Sequence, residues 1–196
     1  MSKWNFKNVS APTAANVCED IELDKPAVQL LTADITPADY LELLIKSNGY
    51  VDAAKFLARA LPAREATWWA CLCARTCVSN DAPEALRKSL ELADKWVFKP
   101  TEENRRPTLD AAQKTDFKSP ASWAAMAAFW SGGSLAPPEL PAVPPAANLT
   151  GKAVAGAVML AAVVPDPAQA PEKYQHFFAL GVDIACGGKG RLKPEQ

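Results

Sequence analysis

Residues Thr67 to Cys77 read TWWACLCARTC, with three cysteines, two tryptophans and no glycine. The stretch is either a reactive or metal-binding thiol cluster or one turn after another of a tightly packed helix. At about 100° per residue, Cys73 and Cys77 fall within about 40° of each other on a helix and Cys71 falls on the far side. Three thiols so placed cannot close around one zinc ion. The missing ligands would have to come from Cys18, Cys186 or His176, far away in sequence, and the paired C-x-x-C knuckle is absent. Trp68, Trp69, Ala70, Leu72, Ala74 and Val78 point in nearly every direction, and only Arg64, Glu65 and Arg75 bring charge. A helix apolar almost all round belongs at the centre of a bundle. The expectation is a central rod whose thiols and alanines let neighbouring helices come close, with Arg64 and Glu65 as a cap and salt link.

Working outward, helix punctuation is dense and strand signals are nearly absent, with no sustained period-two alternation. Thr36-Pro37-Ala38-Asp39 is a start signal: a hydroxyl acceptor, a proline preset at the first position and an acid favoured by the helix dipole. Leu41, Leu44 and Ile45 then form an inward stripe, and Asn48-Gly49 closes the helix, glycine being the residue that tolerates a left-handed cap. Tyr50, Ala53, Ala54, Leu57 and Leu61 line a second helix and Pro62 opens a third. Links this short fold adjacent helices back as hairpins. Asp81-Ala82-Pro83-Glu84 has the spacing of a capping box, ahead of Leu86, Leu90, Ala93 and Val97. Ser119-Pro120 starts a helix carrying Trp123, Met126, Ala127 and Trp130.

From Ser131 to Thr150 the composition changes to SGGSLAPPELPAVPPAANLT, which reads as an extended connector or surface strap because proline cannot continue a helix. The fold class is therefore all-α, an irregular multi-helix bundle of antiparallel hairpins. Residues 1–130 form the main helical body, 131–150 the Pro-rich connector, and 151–196 a C-terminal helical pair packed on the body, one structural domain overall. The pair runs from Gly151 to Val164 and from Pro171 to Cys186, the second helix carrying Tyr174, Phe177, Phe178, Gly181 and Ala185 on one side.

Composition sets the functional bounds. The chain has 196 residues, 49% hydrophobic and 22% charged, enough to bury a core without a disulfide or metal staple. A net charge of −1 with interleaved signs argues against nucleic acid as a partner. MSKWNFKNVS has no apolar segment of a secretory signal, and the odd count of five cysteines suits reduced thiols, so a cytoplasmic location is expected. The apolar run Ala153 to Val164 is shorter than the roughly 20 residues a bilayer needs, so no stable membrane insertion is expected.

No complete catalytic, cofactor or metal motif is visible, and none is assigned. His176, among Tyr174, Phe177 and Phe178, has no nucleophile elbow to serve, and the bland reading is a partly exposed helix histidine. An alternative thiol site would join Cys73 with Cys77 or with His176. The cluster Glu102-Glu103-Asn104-Arg105-Arg106 before Pro107 reads as a solvated turn, and GGKGRLKPEQ at the end as a cap and tail, since a phosphate cradle must precede a helix. Two features suggest a protein partner. APPELPAVPP, with Pro137, Pro138, Leu140 and Pro141, can present a polyproline ridge, although the same composition serves as a plain linker. Trp4 and Phe6 are unusual in a free tail and suggest a segment pinned to the body or to another protein.

LPAREATWWACLCAR, Leu61 to Arg75, resembles a family of uncharacterised bacterial helical proteins associated with type VI secretion loci, with looser support from the Thr36 to Leu61 pair and the alanine-rich C-terminal half. The resemblance implies an accessory role, assisting an exported effector, spike or adaptor component, and carries no catalytic residue with it. The functional expectation is a non-enzymatic, adaptor-like or chaperone-like protein that binds another protein. A thiol-dependent enzyme or redox protein is the alternative.

Overall fold

The computed structural model describes residues 2–191. Among them the regular structure is entirely helical: α1 (Ala14–Cys18), α2 (Lys25–Leu30), α3 (Pro37–Lys46), α4 (Tyr50–Ala60), α5 (Ala63–Arg75), α6 (Glu84–Phe98), α7 (Glu102–Gln113), α8 (Pro120–Phe129), α9 (Leu149–Val163) and α10 (Ala170–Ala185), with a short 3-10 turn at Pro167–Gln169. The all-α expectation holds. The reading of the tail from Leu192 onward lies outside the described residues.

Local signals explain most boundaries. Thr36 Oγ1 accepts from the Asp39 amide at 3.1 Å and Pro37 occupies the first turn of α3. The α3–α4 corner needs a left-handed residue, and Asn48 supplies it at φ 59°, leaving Gly49 at φ −75° as the N-cap of α4. The sequence had placed that conformation on the glycine. Asparagine is the other residue that visits this region readily. The capping box expected at Asp81–Glu84 is not formed: α6 starts at Glu84 with Pro83 as its N-cap and no side-chain bond there. The Pro83 carbonyl takes the Leu86 and Arg87 amides instead. A reciprocal box is found at Ser119 and Ser122, where the Ser119 amide donates to Ser122 Oγ and the Ser122 amide to Ser119 Oγ, each at 3.0 Å.

Helix α5 is an interior element, as the opening stretch predicts. Trp69, Ala70, Cys71, Cys73 and Ala74 are fully buried, while Trp68 and Leu72 are half-buried on the side toward solvent. The helix packs against α6, α8, α9 and α10. It shares the centre with α8 and α9, whose alanines (Ala124, Ala125, Ala127, Ala128, Ala153, Ala157) are buried. Small side chains let α8 and α9 lie closely side by side, and α9 is also in contact with α4 and α5. In consequence α4 and α5 hardly touch each other, and the hairpin expected across Pro62 is replaced by two helices that both lean on α9. Hydrophobic burial outweighs sequence adjacency here, because α9, apolar on every side, can bury one face against each of the two helices at once.

Helix α10 seals one side. Tyr174, Phe177, Phe178, Gly181 and Ala185 face inward as a stripe. Tyr50 stacks on Tyr174 at 5.2 Å between ring centroids, and Phe178 lies 6.1 Å from Trp69. Such ring pairs contribute about 0.5–1.5 kcal/mol each beyond area burial. No single helix among the described residues is long and apolar enough to cross a membrane.

Candidate functional site

The Pro-rich connector is a closed loop held at its base. The Leu135 amide donates to the Val143 carbonyl at 2.8 Å, and Ser134 Oγ accepts from the Ala136 and Val143 amides at 3.1 and 3.0 Å. The two legs are thereby tied, and the segment between them stands out as a strap. Pro137, Pro138 and Pro141 are exposed on it, with Leu140 56% and Val143 51% accessible. Within it the Leu140 amide donates to the Pro137 carbonyl at 3.1 Å, so the chain turns at Pro137–Leu140, and the fixed φ of its prolines limits the shapes it can take.

What fastens the strap to the bundle is the charge cluster that reads in sequence as a solvated turn. Glu102–Arg106 is instead the start of α7, and Pro107 sits inside the helix. Arg105 is only 3% accessible. Its guanidinium forks onto Glu102, Nε to Oε2 at 2.6 Å and Nη2 to Oε1 at 2.7 Å. Its remaining donors reach the Phe129 carbonyl at 2.6 Å and the Ser134 carbonyl at 3.0 Å, while its plane covers the Phe129 ring at 4.8 Å. Arg106 donates to Glu102 Oε1 at 2.6 Å and to the Ala136 carbonyl at 2.7 Å. The hydrogen bonds from Arg105 and then Arg106 hold the Glu102 carboxyl down at about 2. A buried guanidinium with its donors spread over a carboxylate and two carbonyls is stable only as a complete set. Gly133 completes the clasp: its φ is +64° and a Cβ there would lie 2.8 Å from Arg105 Nη2. The Glu102-x-x-Arg105-Arg106 spacing, one acid followed at i+3 and i+4 by arginines, was a signal for ion pairs along a helix, though not for the burial of Arg105.

The N-terminal aromatics fold down rather than out. Trp4 and Phe6 are half-buried, stacked at 6.2 Å and packed against the core. The Lys7 and Asn8 amides donate to the Ala185 carbonyl at 2.8 and 2.9 Å, and Asn8 Nδ2 to the Ile184 carbonyl at 2.8 Å. This segment satisfies the open carbonyls at the end of α10.

Cys73 and Cys77 lie near enough for the charge of one to act on the other. Cys71 and Cys73 are fully buried, and burial pushes both thiols well above their ordinary range, opposite to what a nucleophilic thiolate needs. Cys77 lies beyond α5, which stops when Thr76 Oγ1 donates to the Cys73 carbonyl at 2.8 Å. Its sulfur faces the Ala161 carbonyl at 3.6 Å. His176 is exposed on α10 with its ring beside Phe177, and no hydrogen bond joins it to a thiol among the described residues. Burial and then Asp52 push Cys18 up to about 11. Among the described residues no group of three or more His, Cys, Asp or Glu could hold a metal ion.

Two adjoining clefts flank the strap. One, about 370 Å³, lies between its second leg (Pro144 to Ala147) and the α4–α5 corner at Pro62, with Trp130 as a wall. The next, about 250 Å³, continues past Arg59 and Gly151 to the loop at Asp20–Glu22. Of the three cations lining it, Arg59 pairs with Asp20 at 2.9 Å and Lys55 with Asp52 at 3.2 Å, and Lys152 is the third.

Residues 40–185, the greater part of the chain, match a family described as a family of unknown function, DUF6931. The chain belongs to that family. Its description names neither a secretion system nor a kind of organism. No curated protein and no solved structure matches the chain. The match begins at Tyr40 and therefore takes in α4 to α10, the clasp and the strap, but not Trp4 or Phe6.

Proposed function

We propose that the protein is a non-enzymatic accessory that binds another protein through its Pro-rich strap. One observation carries the reading: an exposed apolar ridge, Pro137 to Val143, is held in a fixed shape by a buried arginine and a tied base. A plain linker has no need of such fastening. A segment already held at its base and turned at Pro137–Leu140 loses little entropy when a partner grips it, which is the advantage of preorganisation. The matching partner surface is a groove lined with aromatic side chains, which grip proline rings and leave room for Leu140. Trp4 and Phe6, being packed on the chain's own body, are secondary contributors.

The resemblance of Leu61–Arg75 to proteins of type VI secretion loci supports a cytoplasmic client among effector, spike or adaptor components. The free cysteines are compatible with a reducing compartment. The test is co-purification of the full chain with the products of neighbouring genes. Replacing Leu140 and Val143 with aspartate should abolish recovery of the partner while leaving the thermal midpoint unchanged. Undiminished recovery would remove the strap from the interface.

A further inference from the structure

We infer that Phe98 is the anchor of the same contact surface, and that its occupant is a partner protein whose apolar pocket is rimmed by acidic side chains. The inference rests on the reading of the strap as a protein contact. Phe98 ends α6 and is 88% accessible, far more than any other large apolar side chain among the described residues. The preceding Trp96 and Val97 are buried, so the helix is firmly seated up to the residue at which a phenyl ring projects into water. An exposed leucine here or there needs no explanation, whereas a bare aromatic at the same end of the bundle as an exposed apolar ridge calls for one.

The contacts place Phe98 at the strap end of the bundle. The Val97 carbonyl takes a 2.7 Å bond from Arg64 Nε at the start of α5, beside the Pro62 corner that faces the strap's second leg. The Lys99 carbonyl takes a 2.8 Å bond from Asn104 Nδ2, and the next two residues, Arg105 and Arg106, hold the strap. The charges around the ring favour one kind of rim. Lys95, Lys99 and Arg64 are exposed. Of the nearby acids, Glu65 lies 3.6 Å from Arg64 and Glu102 is shared by two arginines, while Glu103 and, on the strap, Glu139 are exposed, against five cations: Arg64, Lys95, Lys99, Arg105 and Arg106. The balance is positive. A protruding aromatic set among cations suits an apolar pocket with acidic edges, because anchors of this type fill desolvated pockets while rim charges select the partner.

The experiment places the photoreactive residue p-benzoylphenylalanine singly at Phe98, at Leu140 and, as a control, at exposed Val28 of α2, in the full chain within its native host. Expected are adducts of one and the same protein from Phe98 and Leu140, none from Val28, and a Phe98-linked peptide with Asp or Glu flanking apolar residues. The charge reversals Lys95→Glu and Lys99→Glu together should cut the Phe98 adduct by about tenfold or more at an unchanged melting temperature. An adduct at Leu140 without one at Phe98 would overturn this inference and leave the strap reading intact. Lipid adducts at Phe98, or indifference to the charge reversals, would overturn it as well. Silence at both positions would remove the inference and the strap reading together.

Discussion

Trp69 donates its indole N–H to the Phe177 carbonyl at 2.7 Å, and its ring lies where a Cβ on Gly181 would stand, 2.9 Å from Trp69 Cε2 and 2.6 Å from Leu57 Cδ2. The hydrogen bond and the glycine, one turn apart on α10, together fix how closely that helix approaches α5. The leucine tip can swing aside, but the indole is tethered. Gly181→Ala therefore overpacks the seam at a cost of about 1–3 kcal/mol, against about 1 kcal/mol gained from helix propensity. Crowding wins. The melting temperature measured by circular dichroism should fall by several degrees.

Gly156 in α9 predicts the opposite sign. A Cβ there would meet Trp123 at 3.6 Å, an ordinary contact, and no positive φ is required. Gly156→Ala should raise stability by about 0.5–1 kcal/mol through helix propensity and reduced freedom of the unfolded chain. Urea unfolding with an unchanged slope is the check; a loss would mean that the α9 backbone sits closer to Trp123 than these contacts state.

Arg105→Leu removes the donors that serve Glu102, Phe129 and Ser134 and leaves buried acceptors without partners. A loss of about 3 kcal/mol is expected, with faster proteolysis between Ala136 and Pro144. Arg105→Lys should recover little of it, since one ammonium cannot fork and cover a ring at once.

The clasp also has an acid limit. Glu102 is held at about 2, below the roughly 4.3 of an unperturbed glutamate. Its contribution is therefore complete above about pH 5 and is lost as pH falls toward 2, when the folded form takes up the proton that the unfolded chain has already bound. Glu102→Gln should abolish that dependence, so the gap in melting temperature between wild type and variant narrows from about pH 4 to pH 2.

Thiol titration separates structural from reactive sulfur. Cys71 and Cys73 should stay silent toward a disulfide reagent until the chain unfolds. At pH 8, Cys18 with a value of about 11 carries roughly two hundred-fold less thiolate than a free cysteine and should lag accordingly. Rapid labelling of Cys73 in the native state would contradict its burial.

Where local chemistry and packing agree, the sequence was a good guide. Thr36, the α5 interior and the Tyr174-to-Ala185 stripe could all be read from residue type and spacing. The roles of α8 and α9 could not, because helices apolar on every side have no stripe to announce which neighbours they meet. Arg105 escaped for a different reason. A mixed charge run ahead of a proline has the same composition in a solvated turn as in a buried clasp, and only the place of Phe129 and Ser134 distinguishes them. Phe98 was hidden by its neighbours: Trp96 and Val97 are core, and a third apolar residue in a row looks like more of the same.

The position of α9 has a consequence for biogenesis. Its alanine face fills the space that α4, α5 and α8 enclose, yet it is synthesised after all three. A nascent chain that has emerged only as far as Phe129 exposes an open, greasy trough, and remains vulnerable to aggregation until residues 149–163 leave the ribosome and dock.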